Sequence, residues 1–295
     1  MRPKGLLCVL CLPLIGYGWG HWDYALPARG LDELVFVMLA WTCFHCGSMW
    51  MNAYLDRDEC DVIFGTATHV PPWIPSLSFV TFLIGIGICC AVSWWMGGIG
   101  VVVALSGWLY SSRIYCLKGH ATGGPLVNAV GYGLLSPLAG WLIVDVAMNP
   151  RTAVTSAVLL MGVMGSYFCL QGYQYDEDRK RGYRTLVATH GVAITLGVGR
   201  TCFGIVVLLI LLMAIVGWYP SIVVCTVPVW LWFDRWIMLW RKAEVPEDIF
   251  WPSGFVRRAT ALGVFFFLCV FGVYIWDSFS GQSVAGFATP AGHPF

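Results

Sequence analysis

Two short acidic clusters stand out in a chain that is otherwise almost uncharged. The stretch "GSMWMNAYLDRDECDVIFG", residues 47 to 65, places four acids within six positions: Asp56, Asp58, Glu59 and Asp61. On a helix Asn52, Asp56 and Glu59 recur at i, i+4 and i+7 and share one face. The second cluster is "QGYQYDEDRKRGYRTL", residues 171 to 186. There Gln174, Glu177, Asp178 and Arg181 recur at i, i+3, i+4 and i+7, again on one face. Carboxylates gathered in this way repel one another unless a cation holds them. Carboxylate and amide oxygens on two facing helices suit Mg2+, a hard ion that takes few protein carboxylates and keeps water and substrate phosphate as its other ligands. Arg57, Arg179, Lys180, Arg181 and Arg184 adjoin the acids. They either form plain ion pairs with them or reach phosphate oxygens. The match between the two clusters favours metal and phosphate. A third stretch, residues 109 to 141, adds Arg113 and Lys118 beside Gly119, Gly123, Gly124 and Pro125, a turn-rich loop. Lys118 is a candidate diphosphate contact; the ordinary alternative is a lysine snorkelling at a helix end.

The elements that must position these groups follow from composition. The 295 residues are 58% hydrophobic and 11% charged, against about 25% charged in a soluble domain. The net charge of +1 gives no reason to expect a nucleic-acid partner. In lipid only helices or closed barrels satisfy the backbone, and the apolar runs here are continuous, as in helices of about 20 residues. The expected spans are 5–19, 31–53, 76–95, 97–112, 125–146, 153–173, 197–217, 220–238 and 258–277. They describe an all-α polytopic membrane protein of about nine transmembrane helices, the first and fourth being short. A secretory leader competes for the first segment, since Arg2 and Lys4 precede its apolar core.

With the N-terminus inside, 15 of the 17 Lys and Arg residues fall on the cytoplasmic side and only Arg29 and Arg151 outside. Both acidic clusters then lie at cytoplasmic helix ends. Residues 1–277 read as a single transmembrane domain and 278–295 as a polar tail. Cys8 and Cys11, like Cys43 and Cys46, have CxxC spacing, but within apolar helices they read as small packing residues rather than a metal site. His45 reads as a packed neutral histidine.

These residues resemble the UbiA superfamily of intramembrane prenyltransferases. The carriers are Asn52-x-x-x-Asp56-x-Asp58-Glu59, and Gln174-Tyr175-Asp176-Glu177-Asp178-x-x-Arg181-Gly182-x-Arg184-Thr185-Leu186. The intervening "YSS…LKG…N…G…PLAG" and Arg2-Pro3 at the first helix add to it. The resemblance implies nine transmembrane helices around a central cavity open to lipid. It also implies two Asp-rich motifs that bind Mg2+ and an isoprenoid diphosphate. The usual motifs are N-D-x-x-D-x-x-x-D and D-x-x-x-D. Here Ala53 replaces the first Asp, Cys60 stands at the last acidic position, and Gln174 opens the second motif, which marks a divergent branch.

The implied enzyme is a prenyltransferase moving an isoprenoid group from a prenyl diphosphate to a hydrophobic acceptor, aromatic or otherwise. Asp56, Asp178 and Lys118 would be catalytic. Asn52, Asp56, Asp58, Glu59, Gln174, Glu177 and Asp178 would hold the metal, and Arg57, Lys118 and Arg184 the diphosphate. Ionisation of an allylic diphosphate needs its leaving oxygens stabilised in place, and aromatic walls can face the carbocation. A cyclase of the same superfamily, with the prenyl chain capturing its own cation, is the first alternative. A non-enzymatic transporter or scaffold is the second. The expected setting is an inner, cytoplasmic membrane.

Overall fold

The computed structural model describes residues 3–23, 30–56, 70–246 and 248–280, and these are predominantly helical. The chain runs through α1 (Pro3–Asp23), α2 (Leu31–Asp56), α3 (Ile74–Val92) and α4 (Trp94–Ser111). A 3-10 turn at Leu117–Gly119 follows. Then α5 (Gly123–Asn128), a π-helical stretch Ala129–Leu135 and α6 (Ser136–Val144) continue as one rod. Next come α7 (Pro150–Gln171), two short helices, α8 (Tyr175–Lys180) and α9 (Leu186–His190), then α10 (Val192–Ile215). The 3-10 turn Ser221–Cys225 leads into α11 (Thr226–Arg241), and α12 (Phe250–Ser280) is last.

Among the described residues this makes nine long helical rods, close to the number expected. Seven of them are long and apolar enough to cross a membrane; α1 and α4 are the other two. Large apolar side chains face outward along the rods. Examples are Phe79, Val80, Leu83 and Ile84 on α3, and Leu208, Leu212 and Ile215 on α10. A water-soluble fold does not expose such stripes, whereas lipid solvates them. The chain is an integral membrane protein.

Local sequence explains most helix boundaries. Ser93 separates α3 from α4: its extended backbone (φ −165°) ends the first helix, and its side chain caps the second by accepting from Met96 N. Asn149 accepts from Thr152 N in a capping box ahead of Pro150, so α7 starts at Pro150, ahead of the expected 153. The last span differs. It begins at Phe250, not 258, because Arg257 and Arg258 sit inside a continuous helix rather than ahead of it. The polar tail lies, from residue 281 on, outside the described residues.

The helices fall into two compact units. The first comprises Met1–Ala147 and Gln174–Gly191, and so holds α1 to α6 with α8 and α9. Its core is Val37, Ala40, Trp41, Phe44, Phe82, Cys89 and Met96. Two close approaches set its frame. On α1 and α6 the pairs Gly16–Pro137 and Pro13–Gly140 bring backbones together so tightly that a Cβ on either glycine would strike the opposite carbonyl. Between α2 and α3 the Phe44 ring lies on Gly85 and the Phe82 ring on Gly47. Trp41 Nε1 donates to Ser136 Oγ (2.8 Å), which donates to Gly131 O (2.8 Å) across the π-helical stretch. The second unit, Met148–Tyr173 with Val192–Phe295, holds α7 and α10 to α12 around Cys169, Leu196, Phe203, Phe233, Ile237, Trp240 and Phe255. Cys11, Cys43 and Cys46 are free thiols, and His45 is buried.

Candidate active site

Asn52, Lys118, Gln174, Glu177, Asp178 and Arg184 all belong to the first unit. Asn52 lies just over one turn before the end of α2. Its Oδ1 accepts two bonds, from Ser111 Oγ at the end of α4 (3.1 Å) and from Lys118 Nζ (3.0 Å). Lys118 is only 9% exposed. A buried ammonium is costly unless oxygen atoms surround it, so its aim at Asn52 is built into the chain.

The turn that aims it is assembled residue by residue. Ser112 ends α4, and its Oγ accepts from Tyr115 N (3.1 Å) while its carbonyl accepts from Cys116 N (2.8 Å). Cys116 takes the left-handed conformation (φ 44°) and opens the 3-10 turn Leu117–Gly119. Gly119 N then donates to Cys116 O (2.8 Å). The chain reverses, and Lys118 points back toward α2.

The second cluster reaches the same turn through its backbone. Arg184 N donates to Gly119 O (2.8 Å), and His120 pairs with Arg184, the single β-type pairing among the described residues. The Tyr183 ring packs on Gly119, where a Cβ would sit 3.0 Å from Tyr183 Cδ1. Asp178 is 6% exposed, and its Oδ2 accepts from Thr185 Oγ1 at 2.6 Å. Thr185 is itself buried and caps α9 by accepting from Ala188 N (3.3 Å). Asp178 O accepts from Tyr183 N (2.9 Å) around the left-handed Gly182 (φ 71°), so both its carbonyl and its carboxylate are held by the loop that follows it.

The remaining candidates divide. Gln174 stands half-buried at the start of α8, its carbonyl accepting from Asp178 N (2.8 Å). Glu177 pairs with Arg181 one turn on (2.6 Å). Arg179 lies over Tyr175 and bonds its hydroxyl (2.8 Å). The Arg184 side chain is exposed. Asp56 is the last residue of α2. Its side chain, together with Arg57, Asp58, Glu59 and Asp61, lies outside the described residues. Among the described residues no three His, Cys, Asp or Glu groups cluster. Ser111 and Thr185 are the polar partners to which sequence reasoning gave no role. Both nevertheless fall within stretches that carry the family resemblance, "YSS" and Arg184-Thr185-Leu186.

The fold and this polar site describe a polytopic helical membrane protein with a cluster of polar and charged residues at helix ends of its first unit. The sequence model of the UbiA prenyltransferase family matches residues 74–255, and the chain belongs to that family. No curated protein matches it. Solved structures share the fold. One is a UbiA homolog from Archaeoglobus fulgidus bound to GPP and Mg2+, 16% identical, covering 91% of this chain and 96% of its own at a TM-score of 0.65. The same homolog bound to DMAPP and Mg2+ is 16% identical, with 90% and 84% covered and a TM-score of 0.59. A structure described for digeranylgeranylglyceryl phosphate synthase is 13% identical, with 95% and 99% covered and a TM-score of 0.63. At such identities the likeness is one of fold.

Proposed function

We propose that the chain is a Mg2+-dependent intramembrane prenyltransferase that moves an isoprenoid group from a prenyl diphosphate to a lipophilic acceptor. One observation supports this most. Asn52, Lys118 and the segment bearing Asp178 come from three separate stretches, yet the Lys118–Asn52 bond and the Arg184–Gly119 bond tie them into one unit. Family membership gives that cluster its chemistry, and homologs of the same fold are described with GPP or DMAPP and Mg2+.

The donor set fits a hard divalent cation. The Asn52 amide and the buried Asp178 carboxylate are oxygen donors of the kind Mg2+ takes. The Asn52 oxygen accepts from Ser111 Oγ and Lys118 Nζ, so it turns to a metal only by releasing one of them. Asn52, Asp56 and Asp178 are the principal ligands in this reading. Asp58, Glu59 and Gln174 are secondary, and Glu177 joins them only by leaving Arg181. When bound, Mg2+ neutralises the diphosphate oxygens as the allylic carbon–oxygen bond breaks.

The chain's own residues do the rest. Lys118 donates to a diphosphate oxygen, with Arg57 and Arg184 adding charge around it. Thr185 keeps the Asp178 carboxylate in one orientation. The carbon–oxygen electron pair leaves on the diphosphate. The acceptor atom then bonds the allylic carbon and loses its proton to solvent. Residues 1–277 act as one catalytic domain, with the site on the cytoplasmic side, where Lys and Arg placement puts it.

The test is incorporation of labelled geranyl diphosphate into extractable lipid by membranes carrying the protein, with and without an added hydrophobic aromatic acceptor. Chelation is expected to abolish incorporation and added Mg2+ to restore it. Asp56→Ala and Asp178→Ala are each expected to abolish it. Undiminished turnover in either variant, or in chelator, would reject the assignment. A cyclic product formed without acceptor would replace it with the cyclase.

A further inference from the structure

The second unit carries a cation that the proposed reaction does not use. Arg258 lies eight residues beyond Phe250, about 12 Å along α12 at 1.5 Å per residue, inside the apolar Phe250–Val273 span. Its guanidinium lies over two indole rings of α11, 3.8 Å from the Trp236 centroid and 4.5 Å from that of Trp232. Trp236 is itself fixed. Its Nε1 donates to Trp251 O (3.0 Å), and its ring lies on Gly254, one turn before Arg258, where any Cβ would collide with it.

The in-plane donors of Arg258 are far less well served than its faces. Nη1 donates to Gly254 O (3.1 Å), while Nε is buried without an acceptor among the described residues. No carboxylate among the described residues pairs with it. Asp234 on α11 is taken by Arg200 through both oxygens (2.6 and 3.0 Å), and Asp248 Oδ1 accepts from Phe250 N (2.9 Å). A guanidinium within a span is costly and normally finds an anion. Indole faces offset part of that cost but accept no in-plane N–H. Arg235 and Arg257 are exposed on the same two helices, and Trp232 and Phe250 beside them are exposed apolar rings.

Planar donors with a single backbone acceptor between them, extra positive charge and outward aromatics on one membrane helix pair match a phospholipid. Its phosphate oxygens fit the guanidinium fork, and aromatic side chains favour the headgroup level. We propose that α11 and α12 bind an anionic phospholipid by its headgroup phosphate. Arg258 donates to that phosphate while Trp232 and Trp236 hold its faces, and Arg235 and Arg257 select anionic over zwitterionic lipid.

The test compares the whole protein in nanodiscs of phosphatidylglycerol mixed with phosphatidylcholine, counting retained lipids by native mass spectrometry. The wild type is expected to retain phosphatidylglycerol preferentially. Arg258→Gln is expected to lower that preference about fivefold, the effect of one basic residue at a lipid surface. Equal retention of both lipids by the wild type overturns the proposal, as does an unchanged preference in Arg258→Gln. Competition by soluble glycerol phosphate as strong as that by the lipid would reassign the group to free phosphate and overturn it too. Should Arg258→Gln fail to fold, a phosphatidylglycerol carrying a photoreactive headgroup decides with the wild type. Labelling of residues 232–236 and 250–258 supports the site, and labelling confined elsewhere sinks it.

Discussion

Thr185→Val is the most informative single change at the candidate site. Valine keeps the shape of threonine and its β-branch but has no hydroxyl. The substitution removes the 2.6 Å bond to Asp178 Oδ2 and the 3.3 Å cap on Ala188 N, and it leaves the backbone free to keep its course. A hydrogen bond to a charged group is worth about 1.5–3 kcal/mol. If the Asp178 carboxylate must be held in one orientation to ligate Mg2+, that energy is lost where the metal and diphosphate are bound. At about 1.4 kcal/mol per decade the expected fall in kcat/KM is roughly 10- to 150-fold. The lost cap costs about 1 kcal/mol of stability, a few degrees in Tm, so the protein remains folded. The assay is Mg2+-dependent incorporation of labelled prenyl diphosphate across a Mg2+ titration, beside intrinsic-fluorescence melting in detergent. The Mg2+ concentration for half-maximal rate is expected to rise, and Thr185→Ser, which keeps the hydroxyl, is expected to restore both readouts. Wild-type turnover and an unshifted Mg2+ requirement in Thr185→Val would refute a positioning role for this residue.

Two further expectations concern the same unit. Lys118→Met takes away the ammonium that reaches Asn52 and, in the proposed reaction, the diphosphate. Loss of such a charge-assisted contact should lower kcat/KM by at least tenfold, and Lys118→Arg should recover only part because the fork does not fit a site built for a compact ammonium. Equal kinetics for wild type and Lys118→Met would remove Lys118 from the site. Gly140→Val should leave little folded protein in a size-exclusion and thermal-melting assay, because its side chain meets the Pro13 carbonyl on α1. Overpacking of this kind costs about 1–3 kcal/mol or more. A melting curve unchanged from wild type would show that the α1–α6 crossing is looser than described.

What could be read from the sequence was local. Each span satisfies the bilayer's length and its demand for internally bonded backbone within a single run of residues, so the apolar runs located every span but left the start of the last one several residues late. Helix breaks at Ser93 and Asn149 are likewise written in single side chains that bond their own neighbours. The two polar faces were legible because helical periodicity is a short-range property. Pairings between distant stretches were not, since nothing in a local pattern states which turn faces which helix. Lys118 meets Asn52 across 66 residues, and Ser111 meets it across 59. Arg184 is tied to the turn through its backbone at Gly119, and Glu177 is turned to Arg181. The last span is expected from 258, with Arg257 outside it, whereas α12 starts at Phe250 and runs through both Arg257 and Arg258. Such pairings depend on how whole helices pack, and packing is decided by glycine–proline and glycine–phenylalanine contacts whose partners are far apart in the chain.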